Sequence, residues 1–123
     1  MPTVPLSTTV LDTRANAVSV VWSPLTQADP DGAPWDMAGL ARTMFVTVRG
    51  TFGAGGTLVF QGSADGVQWA TMIQVNNSLA SFTAAGGTGL RGCPRFVRPL
   101  VTVSDASTSL TVTLYATAAV PDV

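Results

Sequence analysis

The sequence predicts an all-β fold, an antiparallel sandwich or barrel of seven or eight strands. Three observations predict it. Thr and Val together make up 33 of the 123 residues, and β-branched side chains suit pleated strands better than helices. Apolar and polar residues alternate with a period of two in several segments, which is the pattern of half-buried strands. Short glycine-rich or polar stretches separate these segments, at the spacing of antiparallel hairpins.

Seven segments show the alternation, and each is predicted to form a strand. In the second, Met44, Val46 and Val48 face one way. In the fourth, Trp69 shares the apolar face, so we expect it in the core. Pro99 interrupts the sixth, which predicts that this strand lies at a sheet edge or is bulged. In chain order the segments are residues 17–23, 43–52, 57–62, 67–75, 79–84, 95–103 and 109–116.

The length fits one domain. We divide the chain into an extended N-terminal arm at 1–12, a single β-domain at 13–118 and a C-terminal tail at 119–123. A long connection at 24–41 breaks the strand pattern, and 35–42 is the one place where a short helix is expected. Long connections in compact domains are often functional. Apolar residues in the arm, the connection and the tail indicate a partner interface at Thr3, Val4, Pro5, Leu6, Trp35, Met37 and Val120.

The composition argues against an enzyme. The chain has no His, no Lys and no Glu, so the usual general bases, Schiff-base nucleophiles and imidazole metal ligands are absent. Cys93 has no His to activate it and is expected to be a small buried side chain. Asp29, Asp31 and Asp36 lack the spacing and the Glu of a calcium loop. We therefore expect no catalytic residues, no cofactor and no metal.

The charge pattern does not favour nucleic-acid binding. The net charge is −1, whereas phosphate contacts require a basic excess. Arg91, Arg95 and Arg98 lie close in sequence, but Arg95 and Arg98 point to opposite faces of the predicted strand, which favours an ion pair with Asp or a contact between subunits. Residues 87–92 read G-x-G-x-x-G, but no helix is predicted after them, so we expect a loop rather than a nucleotide site.

The surface is expected to be nearly uncharged. Charged residues make up 11% of the chain, so there is little electrostatic repulsion between molecules, which suits a protein docked on a partner. No segment has the length of a membrane-spanning helix, and the N-terminus lacks the basic and apolar regions of a signal peptide. We expect synthesis in a cytoplasm and no membrane contact.

Two motifs in the second half of the chain resemble a known fold. Residues 61–69 read QGSADGVQW and residues 95–98 read RFVR. They are similar to the S-x-D-G-x-x-W hairpin and the R-[FY]-[VI]-R strand of galactose-binding-like jelly rolls, including discoidin-type domains. The resemblance implies an antiparallel β-sandwich of jelly-roll type, with seven or eight strands and at most one short helix. Ligand binding in those domains depends on variable loops, so the resemblance transfers no binding residue.

A longer set of segments, covering about 100 residues, resembles small structural proteins of tailed bacteriophages. This resemblance implies a virion protein, expected to be a capsid decoration or cement protein on the outer head shell. It would bind the major capsid protein, stabilise contacts between its subunits and act as a homo-oligomer, a dimer or a trimer, without substrate or nucleic acid. The segments are VWSPL at 21–25, VRGTFGAGGT at 48–57, QGSADGVQW at 61–69, SFTAAG at 81–86, RFVRP at 95–99, and 109–116.

Two other functions remain open from the sequence. One is a different virion role, such as a head–tail connector, a tail protein or a fibre-base protein, which copy number per particle would separate from decoration. The other is a glycan-binding attachment module, in which Trp35 and the glycine-rich loops would contact the sugar. Loss of glycan binding on Trp35→Ala would favour the second.

Overall fold

A computed structural model describes residues 3–12, 17–37, 43–92 and 94–117. Thirteen strands in these ranges form two sheets that enclose one apolar core, so the predicted all-β antiparallel sandwich is confirmed. No helix occurs in the described ranges, and thus none there has the length and hydropathy needed to cross a bilayer.

The two sheets have seven and six strands. Sheet A runs β1-β4-β12-β7-β10, with β5 also paired to β12 and β8 to β7, and sheet B runs β2-β3-β13-β6-β11-β9. Every pairing is antiparallel except that of β1 with β4. The strands are β1 (Thr3–Val4), β2 (Leu6–Asp12), β3 (Ala17–Thr26), β4 (Asp31–Gly32), β5 (Trp35–Asp36), β6 (Thr43–Thr51), β7 (Thr57–Ser63), β8 (Ala70–Thr71), β9 (Ile73–Gln74), β10 (Ser81–Phe82), β11 (Gly86–Arg91), β12 (Phe96–Val103) and β13 (Ser109–Thr117).

The connectivity is that of a jelly roll. Eight strands taken in chain order, β3, β4, β6, β7, β10, β11, β12 and β13, form the paths β3-β13-β6-β11 in sheet B and β4-β12-β7-β10 in sheet A. The first strand therefore lies beside the last and the second beside the seventh, which is how two Greek keys fold into a double sheet. Consecutive elements lie in opposite sheets except β7 and β10.

The core lies between the sheets and follows the alternation of the sequence. Trp22 is fully buried and meets Phe60 of the other sheet edge-to-face, with ring centroids 5.9 Å apart. The indole N–H of Trp22 donates to the carbonyl of Ala33 at 2.8 Å, so its polar atom is satisfied inside the apolar environment. Other fully buried side chains include Leu25, Leu58, Leu110, Leu114, Val20, Val46, Val48, Val97 and Val112.

The strand predicted at 67–75 is wrong. Residues 64–68 form bends, and only the two-residue strands β8 and β9 follow. Val67, Ile73 and Val75 are exposed, so they do not form a core face. Trp69 is half-buried and lies on the outer face of sheet A against Arg98, not in the core.

The loop predicted at 87–92 is also wrong, because most of it belongs to strand β11. This strand pairs with β6 from Gly86 to Leu90 and with β9 at its end. A Cβ atom placed on Gly87 would lie 2.9 Å from Cε1 of Phe45. The aromatic ring therefore lies over the glycine and supplies the cross-strand contact that glycine lacks.

Pro99 lies in an interior strand rather than at an edge. β12 pairs with β7 on one side and with β4 and β5 on the other. The N–H and C=O of Phe60, which is opposite Pro99, bond residues on the far side of β7, so the nitrogen of Pro99 points away from β7. It faces the gap between β4 and β5, where no donor is required. The register shift comes later, between Val101 and Val103.

The short helix considered at 35–42 is absent at its start, where Trp35–Asp36 forms β5 and pairs with β12. The backbone N–H of Met37 then donates to the carbonyl of Arg95 at 2.7 Å. Residues 38–42, like Cys93, lie outside the described residues.

Candidate interaction surface

The N-terminal candidates belong to strands of the sandwich. Thr3 and Val4 form β1, which pairs in parallel with β4, and the Val4 carbonyl accepts a hydrogen bond from Ala33 N–H at 2.8 Å. Val4 is a buried core residue, so its expected role as an exposed contact is corrected. Pro5 is exposed, and Leu6 begins β2 in the other sheet. The segment predicted as an arm therefore runs from sheet A to sheet B.

The candidates in the long connection are mostly covered. Met37 has 1% of its surface exposed and belongs to the core, because β5 pairs with β12 and brings the next residue between the sheets. Its expected role in an exposed interface is corrected. Trp35 is partly buried and packs against the core. Val120 lies outside the described residues, so its part in an interface stays a prediction.

The first of the two sequence motifs forms a tight turn. Ser63 Oγ accepts a hydrogen bond from Gly66 N–H at 2.8 Å, and Asp65 Oδ1 accepts from Val67 and Gln68 N–H at 2.8 and 2.9 Å. The hydrogen bonds from Gln68 and then Val67 lower the pKa of Asp65. Gly66 has φ +77°, a conformation that glycine adopts without a Cβ clash.

The second motif holds this turn against sheet A. The Arg98 guanidinium lies 4.2 Å above the Trp69 ring, and its Nε donates to Gln61 Oε1 at 3.0 Å. The Phe96 ring lies over Gly66, within 3.5 Å of where a Cβ would be. Both ends of QGSADGVQW thus contact RFVR. The arrangement explains the motifs by packing, with stacking and hydrogen bonding made inside one chain.

The three clustered arginines do not form a basic patch. Arg95 pairs with Asp36 at 3.1 Å, the structural ion pair expected from the sequence, and this pairing raises the pKa of Arg95. Arg98 stacks on Trp69, while Arg91 donates to Asn77 Oδ1. Each guanidinium therefore has a different environment.

One end of the sandwich is held together by Asp105. Its carboxylate accepts hydrogen bonds from Ala54 N–H at 2.8 Å and from Ser107 N–H and Oγ at 2.9 and 2.6 Å. Thr108 Oγ1 donates to the Phe52 carbonyl at 2.9 Å beside it. Two hairpin loops, 53–56 and 104–108, are joined in this way. The Ser107 hydroxyl and then the Ala54 N–H lower the pKa of Asp105 to about 2.

The outer face of sheet B carries an apolar patch. Phe45, Tyr115 and Val75 are 47%, 44% and 62% exposed, and we call these three residues the sheet B patch. Phe45 pairs directly with Tyr115 on β13 and with Gly89 on β11. They surround a cleft of about 320 Å³ with Gly89 in its lining. A Cβ on Gly89 would lie 3.1 Å from Val75 Cγ1, so the glycine keeps the cleft open.

The surroundings of the sheet B patch are polar but nearly uncharged. Threonines alternate with core residues along β6 and β13, and Arg49 is the one charged residue in these two strands. Ser23 and Thr111 share a hydrogen bond of 2.7 Å between neighbouring strands. Exposed aromatic residues on a flat uncharged sheet are typical of a protein interface.

A wider depression of about 620 Å³ lies beyond β9 and β11. Met72, Ile73, Asn77, Arg91 and Pro94 line it. Arg91 and Asn77, which share a hydrogen bond, both lie in its lining. Among the described residues, no three His, Cys, Asp or Glu side chains lie close enough to hold a metal ion. The lining of this depression contains no aromatic residue, in contrast to the sheet B patch, so the patch is the better candidate for a contact surface.

Comparison with known proteins gives one structural likeness. The fold is similar to the crystal structure of the SPBc2 prophage-derived protein YomS, with a TM-score of 0.59 and 11% sequence identity. The superposition covers 89% of this chain and 99% of the other, so the likeness extends over nearly the whole of both chains. No protein-family model and no curated protein matches the sequence.

Proposed function

We propose that the chain is a structural protein of a bacteriophage particle and acts as a decoration protein on the outer head shell. The fold likeness to a prophage-derived protein over nearly both whole chains supports the phage setting, as does the sequence resemblance at 48–57 and 61–69. The partner in this proposal is the major capsid protein.

The sheet B patch is the observation that carries the proposal. Exposed aromatic residues such as Phe45 and Tyr115 provide much of the affinity in protein interfaces when water is excluded around them. The threonines beside them lose less hydration free energy on contact than charged groups would. A rigid sheet fixes the geometry, so little conformational entropy is lost on docking.

Such a contact stabilises a shell through mass action. A protein that binds the assembled shell and not the separated subunits shifts the equilibrium toward assembly. Each copy adds its own binding free energy, and a copy that reaches two neighbouring sites gains further from effective concentration. A modest patch on a small sandwich is enough for this role.

The deciding experiment is cryo-electron microscopy of the particle that carries this gene, with mass spectrometry of its proteins. Decoration gives ordered density on the outer shell and a copy number comparable with that of the major capsid protein. Density at the tail vertex with a single ring of copies would contradict decoration and favour the connector or tail role. Absence from the particle would remove all virion roles.

A matched pair of variants tests the contact surface. The double substitution Phe45→Ser with Tyr115→Ser should weaken binding to heads that lack the protein by at least ~10-fold. Val67→Ser is the control, because Val67 is 75% exposed but lies in the turn at 63–69. It should bind as the wild type does. Equal binding by the double variant would exclude the patch as the contact surface.

A glycan array distinguishes the attachment module. If the protein is a decoration protein, it should bind no glycan on the array specifically. Sugar binding that is lost with Trp35→Ala, while Phe45→Ser with Tyr115→Ser retains it, would support attachment through the long connection instead.

A further inference from the structure

The strands at the edges of the two sheets differ in length, and the longest of them could pair with another chain. Sheet A ends in β10 and β1, and sheet B ends in β9 on one side. Each of these strands has two residues, whereas β2 at the other edge of sheet B has seven. Among the described residues no strand pairs with the outer side of β2. Short edge strands protect a sheet against further pairing, and β2 lacks this protection.

The other features that block pairing lie only at the C-terminal end of β2. The strand β2 reads LSTTVLD and contains no Pro, Lys or Arg. Its one charged residue, Asp12, is the last, and the register shift in its pairing with β3 lies at the same end. Pro5 precedes the strand, so an added strand would stop there. The middle of β2 offers its outward backbone groups to a partner.

Two side chains of β2 are exposed, one on each face of the sheet. Ser7 and Thr8 are neighbours in a strand and so point to opposite faces, yet both are exposed. Thr8 pairs with Val20, whose side chain is fully buried between the sheets. Sheet A therefore covers β3 but not β2, and a further strand beside β2 would meet no part of sheet A at this point.

We propose that β2 pairs antiparallel with β2 of a second copy of this chain across a two-fold axis, which joins two six-stranded sheets into one of twelve. The distribution of charge in β2 favours a second copy of this chain as the partner. The strand carries a single negative charge at one end, and antiparallel pairing places the two Asp12 residues at opposite ends, away from each other. Two copies of one uncharged, Thr-rich edge form a self-complementary interface.

The dimer has a consequence for the outer face. A two-fold axis that relates antiparallel strands of one sheet is perpendicular to that sheet, so both outer faces point the same way. The two sheet B patches then lie on one side of the dimer. Two sites on one rigid body would raise avidity for a repeating surface. The dimer itself does not depend on the virion role and is tested on the purified protein alone.

The first test is the mass in solution by light scattering after size-exclusion chromatography. The wild type should have twice the 12.6 kDa of one chain at about 100 μM and dissociate on dilution. Thr8→Lys puts two like charges at the joined edges and should give the monomer mass. Ser81→Lys is the matched control, because Ser81 is exposed on β10, an edge of sheet A, and it should remain a dimer.

Hydrogen exchange of the unmodified protein tests the same pairing without a variant. Amides of β2 should exchange more slowly at high than at low protein concentration, while those of β10 should not change. A monomer at every concentration, a trimer, a Thr8→Lys variant that stays dimeric, or β2 exchange independent of concentration would each overturn the proposal.

Discussion

Asp105 shows how a single partly exposed residue can organise one end of this sandwich. Its carboxylate accepts hydrogen bonds from both hairpin loops, and Gly53 must be glycine because a Cβ there would meet the Asp105 side chain. A carboxylate is a better acceptor for these N–H groups than a neutral carboxyl group. The loops are thus held by charge as well as by shape.

We expect Asp105→Asn to lower the melting temperature at pH 7 by several degrees. The pKa of Asp105 falls from 3.8 to about 2 on folding, so folding favours its ionised form. This stabilisation is complete above pH 4 and is lost as the pH falls from 4 through about 2. The difference in melting temperature between the variant and the wild type should therefore disappear between pH 4 and about pH 2, as thermal melts at each pH would show.

The control for this prediction is Asp29→Asn. The Asp29 side chain has no hydrogen bond or ion pair with any residue that the structure describes, so its substitution should change the melting temperature little at any pH. If the difference in melting temperature between Asp105→Asn and the wild type stays constant from pH 7 to pH 2, the charge of Asp105 is not what stabilises the loops.

At the scale of the strand, glycines differ in how closely the neighbouring strand approaches them. Gly50 has φ +121°, and a Cβ there would meet the carbonyl oxygen of Ser109 on the neighbouring strand. Gly86 at the start of β11 has open space where its Cβ would be. Identical residues in paired strands of one sheet therefore differ in how much substitution costs.

We expect Gly50→Ala to lower the free energy of unfolding by about 2 kcal/mol or more, because it adds both a clash and a strained φ. Gly86→Ala should change it by no more than about 0.5 kcal/mol. Urea denaturation followed by tryptophan fluorescence measures both. Equal effects of the two substitutions would mean that the tight contact at Gly50 relaxes in solution.

For the whole molecule, the jelly-roll connectivity makes the last described strand the centre of sheet B. β13 pairs along its length with β3 on one side and β6 on the other, and both neighbours come from the first half of the chain. Such pairing closes long loops before any gain in contacts, which slows folding in β-rich domains. The sandwich is therefore complete only when β13 is in place.

We expect a chain that ends at residue 107 to lose cooperative unfolding altogether. Without β13 the buried faces of β3 and β6 lose their common neighbour, and sheet B is divided into two parts. Near-UV circular dichroism should lose the tryptophan signal, and the thermal transition should vanish. Adding a synthetic peptide of residues 108–117 should restore part of the signal, and a truncated chain that still melts cooperatively would contradict this account.

The exposure of Phe45 and Tyr115 could be predicted from the sequence, but their position side by side could not. Alternation along 43–52 and 109–116 places Phe45 and Tyr115 opposite the core residues, so their exposure follows from the same pattern that predicted the core. The contact residues predicted from the sequence lie instead in the termini and at Trp35 and Met37. That Phe45 and Tyr115 lie side by side depends on the register of β6 with β13, which pairs residues 70 positions apart.

The sequence by itself determined the all-β class, the positions of most turns and the core residues of β3, β6, β7, β12 and β13. These depend on local periodicity and turn chemistry, which act within one strand or hairpin. Only the tertiary structure decided that Gly86–Arg91 is a strand, that Trp69 lies outside the core, and that Val4 and Met37 lie inside it. The physical reason is that alternation assigns two faces to each strand, whereas pairing between distant segments decides which face another sheet covers.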